Sequence, residues 1–241
     1  MMQYWEGMAV SMCVANTVAK ARPVRARGPF ALVCALLLLL QCLIIPSQRM
    51  RDNNLYSELF RTLLDQYSFV ACGIGKDLAQ VRFDRAMEAI NRNRDTIEEV
   101  GEYFGVPPEN IAAVLLKEQF TRSAPDFLVV AFAPLRNGKG STGLGAVTAD
   151  TAKKAYAYFN LSSRLPSTNQ AILRLFMEDE YEAIFATACV LSYEAAQFGY
   201  GYDDFTHLDL KKWHRVYNKY NGDIEYANKT VEYLPELAEM F

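Results

Sequence analysis

A single glutamate interrupts the apolar segment IAAVLLKEQF, which has the spacing of a buried helix. Glu118 shares one helical face with Ile111 and Leu115, because it follows them by seven and three residues. A carboxylate at the C-terminal end of such a helix is disfavoured as an anion by desolvation and by the helix dipole. The spacing therefore predicts a raised pKa, the property that a general acid needs near neutral pH. The simpler alternative is that Glu118 reaches solvent or pairs with Arg122, four residues on.

About twenty residues later, a glycine-rich loop reads GKGSTGLGAVTADTA, with four glycines within eight residues. It does not fit the phosphate loop G-x-x-x-x-G-K-[ST], because Ala133 and Gly140 stand where glycine and Ser or Thr are required. The remaining interpretation is a loop whose glycines let the backbone approach a ligand closely. Ser141 and Thr142 would offer hydroxyl groups to that ligand.

The segment STGLGAVTADTA, residues 141–152, resembles the S-x-G-L-M-Q-[IL]-x-P-x-T-A segment of the lysozyme-like lytic transglycosylases. In that family the segment follows a helix that ends in the catalytic glutamate. A third family element, a Tyr-Asn turn before a helix with a tyrosine, is similar to YNGD followed by EYANKTVEYLP, residues 225–235. The resemblance covers residues 105–235 and keeps the three elements in the family's order.

The resemblance implies a role for particular residues. Glu118 matches the catalytic acid, and Tyr226 matches the tyrosine that hydrogen-bonds it. No metal and no cofactor are expected. The expected substrate-binding residues, from the loop and from the turn, are Ser141, Thr142, Gly143, Tyr220 and Asn221.

The chain also departs from the family pattern. Gln119 follows the glutamate where the family has serine, and Gly145 and Ala146 stand where it has Met-Gln. Ala149 replaces the family's proline. These changes affect the expected substrate contacts and leave the acid in place.

The implied substrate is the β-1,4 bond between N-acetylmuramic acid and N-acetylglucosamine in peptidoglycan. Glu118 would protonate the bridging oxygen, with help from the substrate's own N-acetyl group. It would then take a proton from the sugar's C6 hydroxyl, which gives a 1,6-anhydro product. Two alternatives stay open: a muramidase that hydrolyses the same bond, and a non-enzymatic membrane-tethered domain that binds glycan or a protein partner.

Four regions are expected along the chain. Residues 1–29 form a basic tail, and residues 30–46 read as a signal anchor that holds the rest outside the cytoplasm. A cleaved segment, or a start at Met50, would instead give a secreted or shorter protein. Residues 47–104 are predicted as a helical extension, and residues 105–241 as the lysozyme-like catalytic domain.

Apolar periodicity predicts an all-α protein with at most a minor β-hairpin near residues 130–142. Thr148 or Asp150 is expected to cap a helix through Phe159. Further helices are predicted at 54–70, 78–104, 108–122, 167–177, 179–198, 208–219 and 223–234.

Charge and residue spacing exclude several functions. Residues 1–45 hold four of the 25 basic and one of the 28 acidic side chains, which leaves the remainder with 21 and 27. An acidic domain argues against a nucleic-acid partner. His207, His214, Cys72 and Cys189 follow no metal-site or nucleophile motif.

Overall fold

The computed structural model describes residues 58–61, 73–122, 129–130, 140–201, 205 and 208–241. The chain divides into two units, Met1–Ile45 and Pro46–Phe241, and all described residues belong to the second. The predicted anchor and most of the helix expected at 54–70 lie outside the described residues. Among the helices that are described, none combines the length and the apolar character needed to cross a membrane.

Helices dominate the described part of the chain, which confirms the all-α class with a minor β element. Two short strands, β1 and β2, lie at Ser141–Thr142 and Val147–Thr148, and a 3-10 turn lies at Ser162–Arg164. The helices are α1 (Gly73–Arg92), α2 (Arg94–Phe104), α3 (Pro108–Thr121), α4 (Ala149–Tyr158), α5 (Asn169–Glu178), α6 (Glu180–Gln197), α7 (Leu210–Asn221), α8 (Ile224–Val231) and α9 (Leu234–Ala238).

Two predicted helices are each divided in the structure. The segment 78–104 contains α1 and α2, which are separated at Asn93. The side-chain amide of Asn93 donates to Ala89 O at 2.9 Å and to Glu180 Oε2 at 2.7 Å. A side chain that binds nearby carbonyl groups competes with the helical backbone, which explains the break. The helix predicted at 223–234 is likewise divided. Helix α8 ends at Val231, and α9 begins three residues later, at Leu234.

Most of the hairpin predicted near residues 130–142 lies outside the described residues. The hairpin that the structure describes flanks the glycine loop, with Ser141 paired to Thr148 and Thr142 paired to Val147. The chain reverses through Gly143 at φ +78° and Ala146 at φ 51°. A turn of this kind needs left-handed backbone conformations, which glycine supplies most easily. Thr148 then caps α4 by accepting a hydrogen bond from the backbone of Thr151, as predicted.

Helices α3 and α6 form the centre of the core. In α3 every residue from Asn110 through Lys117 is buried, and in α6 every residue from Ala183 through Ser192 is buried. Helices buried on all sides read as continuously apolar rather than amphipathic. Side chains of α1 and α2 belong to the same hydrophobic core as those of the later helices. Residues on both sides of Gly105 therefore stabilise one core, and α3 is held rigidly within it.

Candidate active site

Glu118 lies in the last turn of α3, which is packed inside the core. Desolvation by burial raises the pKa of Glu118 to about 7, while Tyr226, Arg122 and Lys117 act in the opposite direction. The direction agrees with the prediction from residue spacing. Glu118 itself is half-buried, and the charge of Arg122, the partner named in the simpler alternative, also acts on its pKa.

Tyr226 projects from α8 toward Glu118. Its side chain is 7% exposed, and its hydroxyl interacts with the Glu118 carboxyl strongly enough to lower that group's pKa. The hydroxyl nevertheless makes no complete hydrogen bond with any described residue. Burial, and then the negative charge of Glu118, raise the pKa of Tyr226 well above its ordinary value. The tyrosine is therefore a neutral donor beside the carboxyl group.

The turn between α7 and α8 sets the position of Tyr226. Helix α7 ends at Asn221, and Gly222 reverses the chain at φ +81°. Asp223 then caps α8 by accepting a hydrogen bond from Glu225 N at 2.9 Å. This is the turn and helix predicted from the YNGD sequence, and it places Tyr226 in the first turn of α8.

Lys117 is a part of the site that the sequence reading missed. Its side chain is 3% exposed, and its ammonium nitrogen lies 5.6 Å from the centroid of the Tyr226 ring. Burial, and then the nearby charge of Lys229, lower the pKa of Lys117 to about 8. The sequence did contain a signal for the burial of Lys117. This residue follows Asn110 and Val114 by seven and three residues, which places it on the same inward face of α3.

Three side chains hold the glycine loop against the end of α3 and against α7. Each donates a hydrogen bond to one of three consecutive backbone carbonyl groups. These bonds join Arg122 Nη2 to Gly143 O, Gln119 Nε2 to Leu144 O at 2.6 Å, and Tyr220 Oη to Gly145 O at 2.7 Å. The loop is therefore attached to the end of α3 at the residue that follows Glu118.

Two glycines of the loop have no room for a side chain. A Cβ atom at Gly143 would lie 2.7 Å from Phe176 O, and one at Gly145 would overlap the side chain of Thr187. Since Thr187 of α6 lies directly behind Gly145, no side chain fits at this position. The loop is therefore closely packed on α6.

The five predicted substrate-binding residues do not share one environment. Ser141 is half-buried, and Asn221 is exposed at the end of α7. Gly143 is buried within the fixed loop, and Tyr220 of α7 donates to that loop at Gly145 O. Thr142 differs from the expectation of a ligand-facing hydroxyl, because it is 1% exposed and donates to Leu173 O at 2.6 Å. Its hydroxyl holds β1 to α5.

Other carboxylates considered from the sequence have roles in the fold. Asp179 caps α6, and Glu180 pairs with Arg92 at 2.6 Å. Asp150 accepts a hydrogen bond from a neighbouring asparagine, while Asp126 lies outside the described residues. Among the described groups that shift the pKa of Glu118, no second carboxylate is present. Within the described residues, the site is built around one acid.

The described cysteine and histidine lie in structural settings. Cys189 is buried in α6, and desolvation raises the pKa of its thiol, which opposes a nucleophilic role. His214 Nε2 makes a hydrogen bond with Asn228 Oδ1 at 2.7 Å. Within the part of the chain that the structure describes, no group of three or more potential metal ligands is found.

No protein-family model, curated protein or solved structure matches this chain significantly. Support for a function comes from the chemistry of the site. A carboxyl group with a pKa of about 7 is partly protonated at neutral pH and can donate or accept a proton. It interacts with a neutral tyrosine hydroxyl, and the residue that follows it in the chain is tied to the glycine loop.

Proposed function

We propose that this chain is a peptidoglycan-cleaving lytic transglycosylase with a lysozyme-like catalytic domain. It would act on the β-1,4 bond between N-acetylmuramic acid and N-acetylglucosamine, with Glu118 as the single acid and base. The observation that carries the proposal is the raised pKa of Glu118 beside Tyr226 and the fixed glycine loop. The three ordered motifs of the resemblance are brought together around this glutamate, which adds support.

In the first step, protonated Glu118 donates its proton to the bridging oxygen, and the bond from that oxygen to C1 breaks. The positive charge that develops at C1 is stabilised by the carbonyl oxygen of the substrate's own N-acetyl group. This route needs no second carboxylate, in contrast to the paired scheme of most glycosidases. The single acid of the site suits it.

In the second step, anionic Glu118 accepts the proton of the C6 hydroxyl. The C6 oxygen then bonds to C1, and the N-acetyl oxygen is released, so the product is a 1,6-anhydro sugar. Tyr226 keeps the carboxyl group in register during both proton transfers. Water in place of the C6 hydroxyl would give hydrolysis, which is the muramidase reaction.

The proposal also assigns a location and a ligand surface. Ser141 and Asn221 would contact the glycan strand, while the buried Gly143 and the half-buried Tyr220 would act through the loop that they fix. The apolar residues 30–45 would tether the protein to the membrane, with the catalytic domain on the side where peptidoglycan lies. The chemistry requires no cofactor.

The test is digestion of purified peptidoglycan by the full-length chain, with products identified by mass spectrometry. Glu118→Gln keeps the size of the side chain and removes the acid. Glu178→Gln is the matched control, because Glu178 also ends a helix but is exposed.

We expect anhydro-muropeptides from the wild type and from Glu178→Gln, and none from Glu118→Gln. Products with reducing ends would instead identify a muramidase that uses the same acid. If the wild type releases no product but still sediments with peptidoglycan, the enzyme proposal fails and the glycan-binding alternative replaces it.

A further inference from the structure

Lys117 is a buried cation beside the proposed acid, and the reaction described above gives it no role. We propose that Lys117 is a positioning residue, which holds the Tyr226 ring against Glu118 and supplies the positive charge that balances the Glu118 carboxylate after proton transfer. The inference rests on the proposed function for its catalytic meaning. The electrostatic coupling between Lys117 and Glu118 can be measured without any activity.

The geometry places Tyr226 between the two charged groups. The ammonium of Lys117 lies 5.6 Å from the centroid of the tyrosine ring, and the hydroxyl of that ring interacts with Glu118. A cation at this distance from an aromatic face is attracted to it, more strongly when both are removed from water. The Tyr226 hydroxyl completes no hydrogen bond with a described residue, so the attraction at the ring face helps to orient it.

The chemistry requires a counter-charge at this point. Glu118 must become an anion when it gives up its proton, and both burial and the C-terminal helix end oppose that state. Arg122 and then Lys117 both favour the anion, and the guanidinium of Arg122 also donates to the loop carbonyl at Gly143. Lys117 is almost completely buried, and its pKa of about 8 keeps it protonated at neutral pH.

Several other titratable groups interact with Lys117 or with Glu118. Lys229 forms an ion pair with Glu225 at 2.7 Å on the α8 side. The groups that interact with Lys117 are Glu118, Asp223, Glu225 and Lys229, and those that interact with Glu118 are Lys117, Arg122, Tyr220, Tyr226 and Tyr233.

The first experiment measures the pKa of Glu118 directly. Carboxyl carbon NMR titrations of the full-length chain are compared for the wild type, Lys117→Met and Lys117→Arg, with the signal assigned by its loss in Glu118→Gln. We expect Lys117→Met to raise the pKa of Glu118 by roughly 0.5 pH unit or more, because a nearby cation lowers a carboxyl pKa. Lys117→Arg keeps the charge and should shift the pKa less. An unchanged pKa in Lys117→Met overturns the proposal.

The second readout is the pH profile of peptidoglycan cleavage. The rate falls as pH rises through the pKa of Glu118, so Lys117→Met should move this alkaline limb to higher pH. Its maximum rate should fall about tenfold, because the carboxylate formed in the reaction has lost its counter-charge. A purely structural role would lower the rate without moving the limb, which overturns the proposal. If the wild type is inactive, the proposed function fails. The NMR titration still shows whether Lys117 and Glu118 are electrostatically coupled.

A reciprocal measurement covers the case in which Lys117→Met does not fold. Linkage requires the carboxyl group to raise the pKa of Lys117 by as much as the lysine lowers that of Glu118. In Glu118→Gln, the side-chain carbon NMR signal of Lys117 should therefore titrate below about 8, the pKa of the wild type. An unchanged pKa of Lys117 in this variant would overturn the proposal independently of the first result.

Discussion

The two ends of α3 each bring a polar side chain against a tyrosine hydroxyl, a buried Asn110 at one end and a half-buried Glu118 at the other. Near the N-terminal end, Tyr217 Oη donates to Asn110 Oδ1 at 2.5 Å, and both residues are buried. Near the C-terminal end, Tyr226 lies beside Glu118 without a completed hydrogen bond. The first pair is neutral and satisfied, whereas the second contains an ionisable group and an unsatisfied donor.

This difference separates a structural pair from a reactive one. Buried polar groups in folded proteins are nearly always hydrogen-bonded, because an unpaired group carries a desolvation penalty. A pair that is left incomplete beside a perturbed acid has the character of a functional site. The N-terminal pair should therefore matter for stability, and the C-terminal pair for activity and for pH dependence.

The largest expected effect is a pH dependence of stability that only the C-terminal end produces. Burial raises the pKa of Glu118 from 4.5 to about 7, so the folded protein keeps a proton that the unfolded chain loses between these pH values. The contribution of this group to stability is complete below pH 4.5 and is lost as pH rises through about 7. Between these pH values, the unfolding free energy should fall by about 3 kcal/mol at most.

Urea unfolding at several values between pH 4.5 and pH 8 measures this effect. Glu118→Gln should reduce the fall in unfolding free energy, because among the described carboxyl groups only the raised pKa of Glu194 then contributes to it, while Glu178→Gln should keep the full fall. Parallel pH dependences for the wild type and Glu118→Gln would contradict the assignment of the raised pKa to Glu118.

A smaller effect is expected when the loop beside the C-terminal end is displaced. Gly145→Ala should lower the unfolding free energy by about 2 kcal/mol, because the added methyl group overlaps Thr187. It should also reduce peptidoglycan cleavage by moving the loop away from Glu118. Thr187→Ala in the same chain should restore part of both losses, and no restoration would mean that another contact limits the space at Gly145.

Exchanging each tyrosine for phenylalanine compares the two ends directly. Tyr217→Phe should cost about 1.5 kcal/mol of unfolding free energy, because Asn110 loses its buried partner. Tyr226→Phe removes a hydroxyl without a completed hydrogen bond, so stability should be unchanged or slightly higher, while cleavage falls. Thermal unfolding and digestion assays on both variants test this pair, and the reverse pattern would reject the division between the two ends.

The smallest effect is expected for the hydrogen bond from α3 to the loop. Gln119→Ala removes the donor to Leu144 O and should lower stability by about 1 kcal/mol. Gln197→Ala is the control, since that glutamine is exposed at the end of α6. Equal effects of the two variants on urea unfolding and on cleavage would show that the Gln119 bond does not hold the loop.

The sequence predicted the features that depend on local spacing. The bounds of α3 and the raised pKa of Glu118 followed from apolar periodicity and from helix-end electrostatics, and the Thr148 cap followed from residue type. The class of the fold also followed, because helical periods recur throughout the chain. These features require little knowledge of which elements pack together.

The features that depend on distant contacts were missed. The break at Asn93 involves Glu180, which is 87 residues away in the sequence. The loop bonds of Gln119 join residues 25 apart, and the overlap behind Gly145 depends on a threonine of α6. Lys117 was overlooked because lysine is usually exposed, although its position on α3 faces inward.

The unsatisfied hydroxyl of Tyr226 and the buried ammonium of Lys117 also have an evolutionary consequence. Removing either group from water costs folding free energy, so the proposed activity would give selection a reason to preserve both. In a lineage that had lost the proposed activity, replacement of the tyrosine by phenylalanine and of the lysine by methionine would be neutral or beneficial. Under the proposed function, positions 117, 118 and 226 would therefore distinguish active from decayed descendants of a common ancestor.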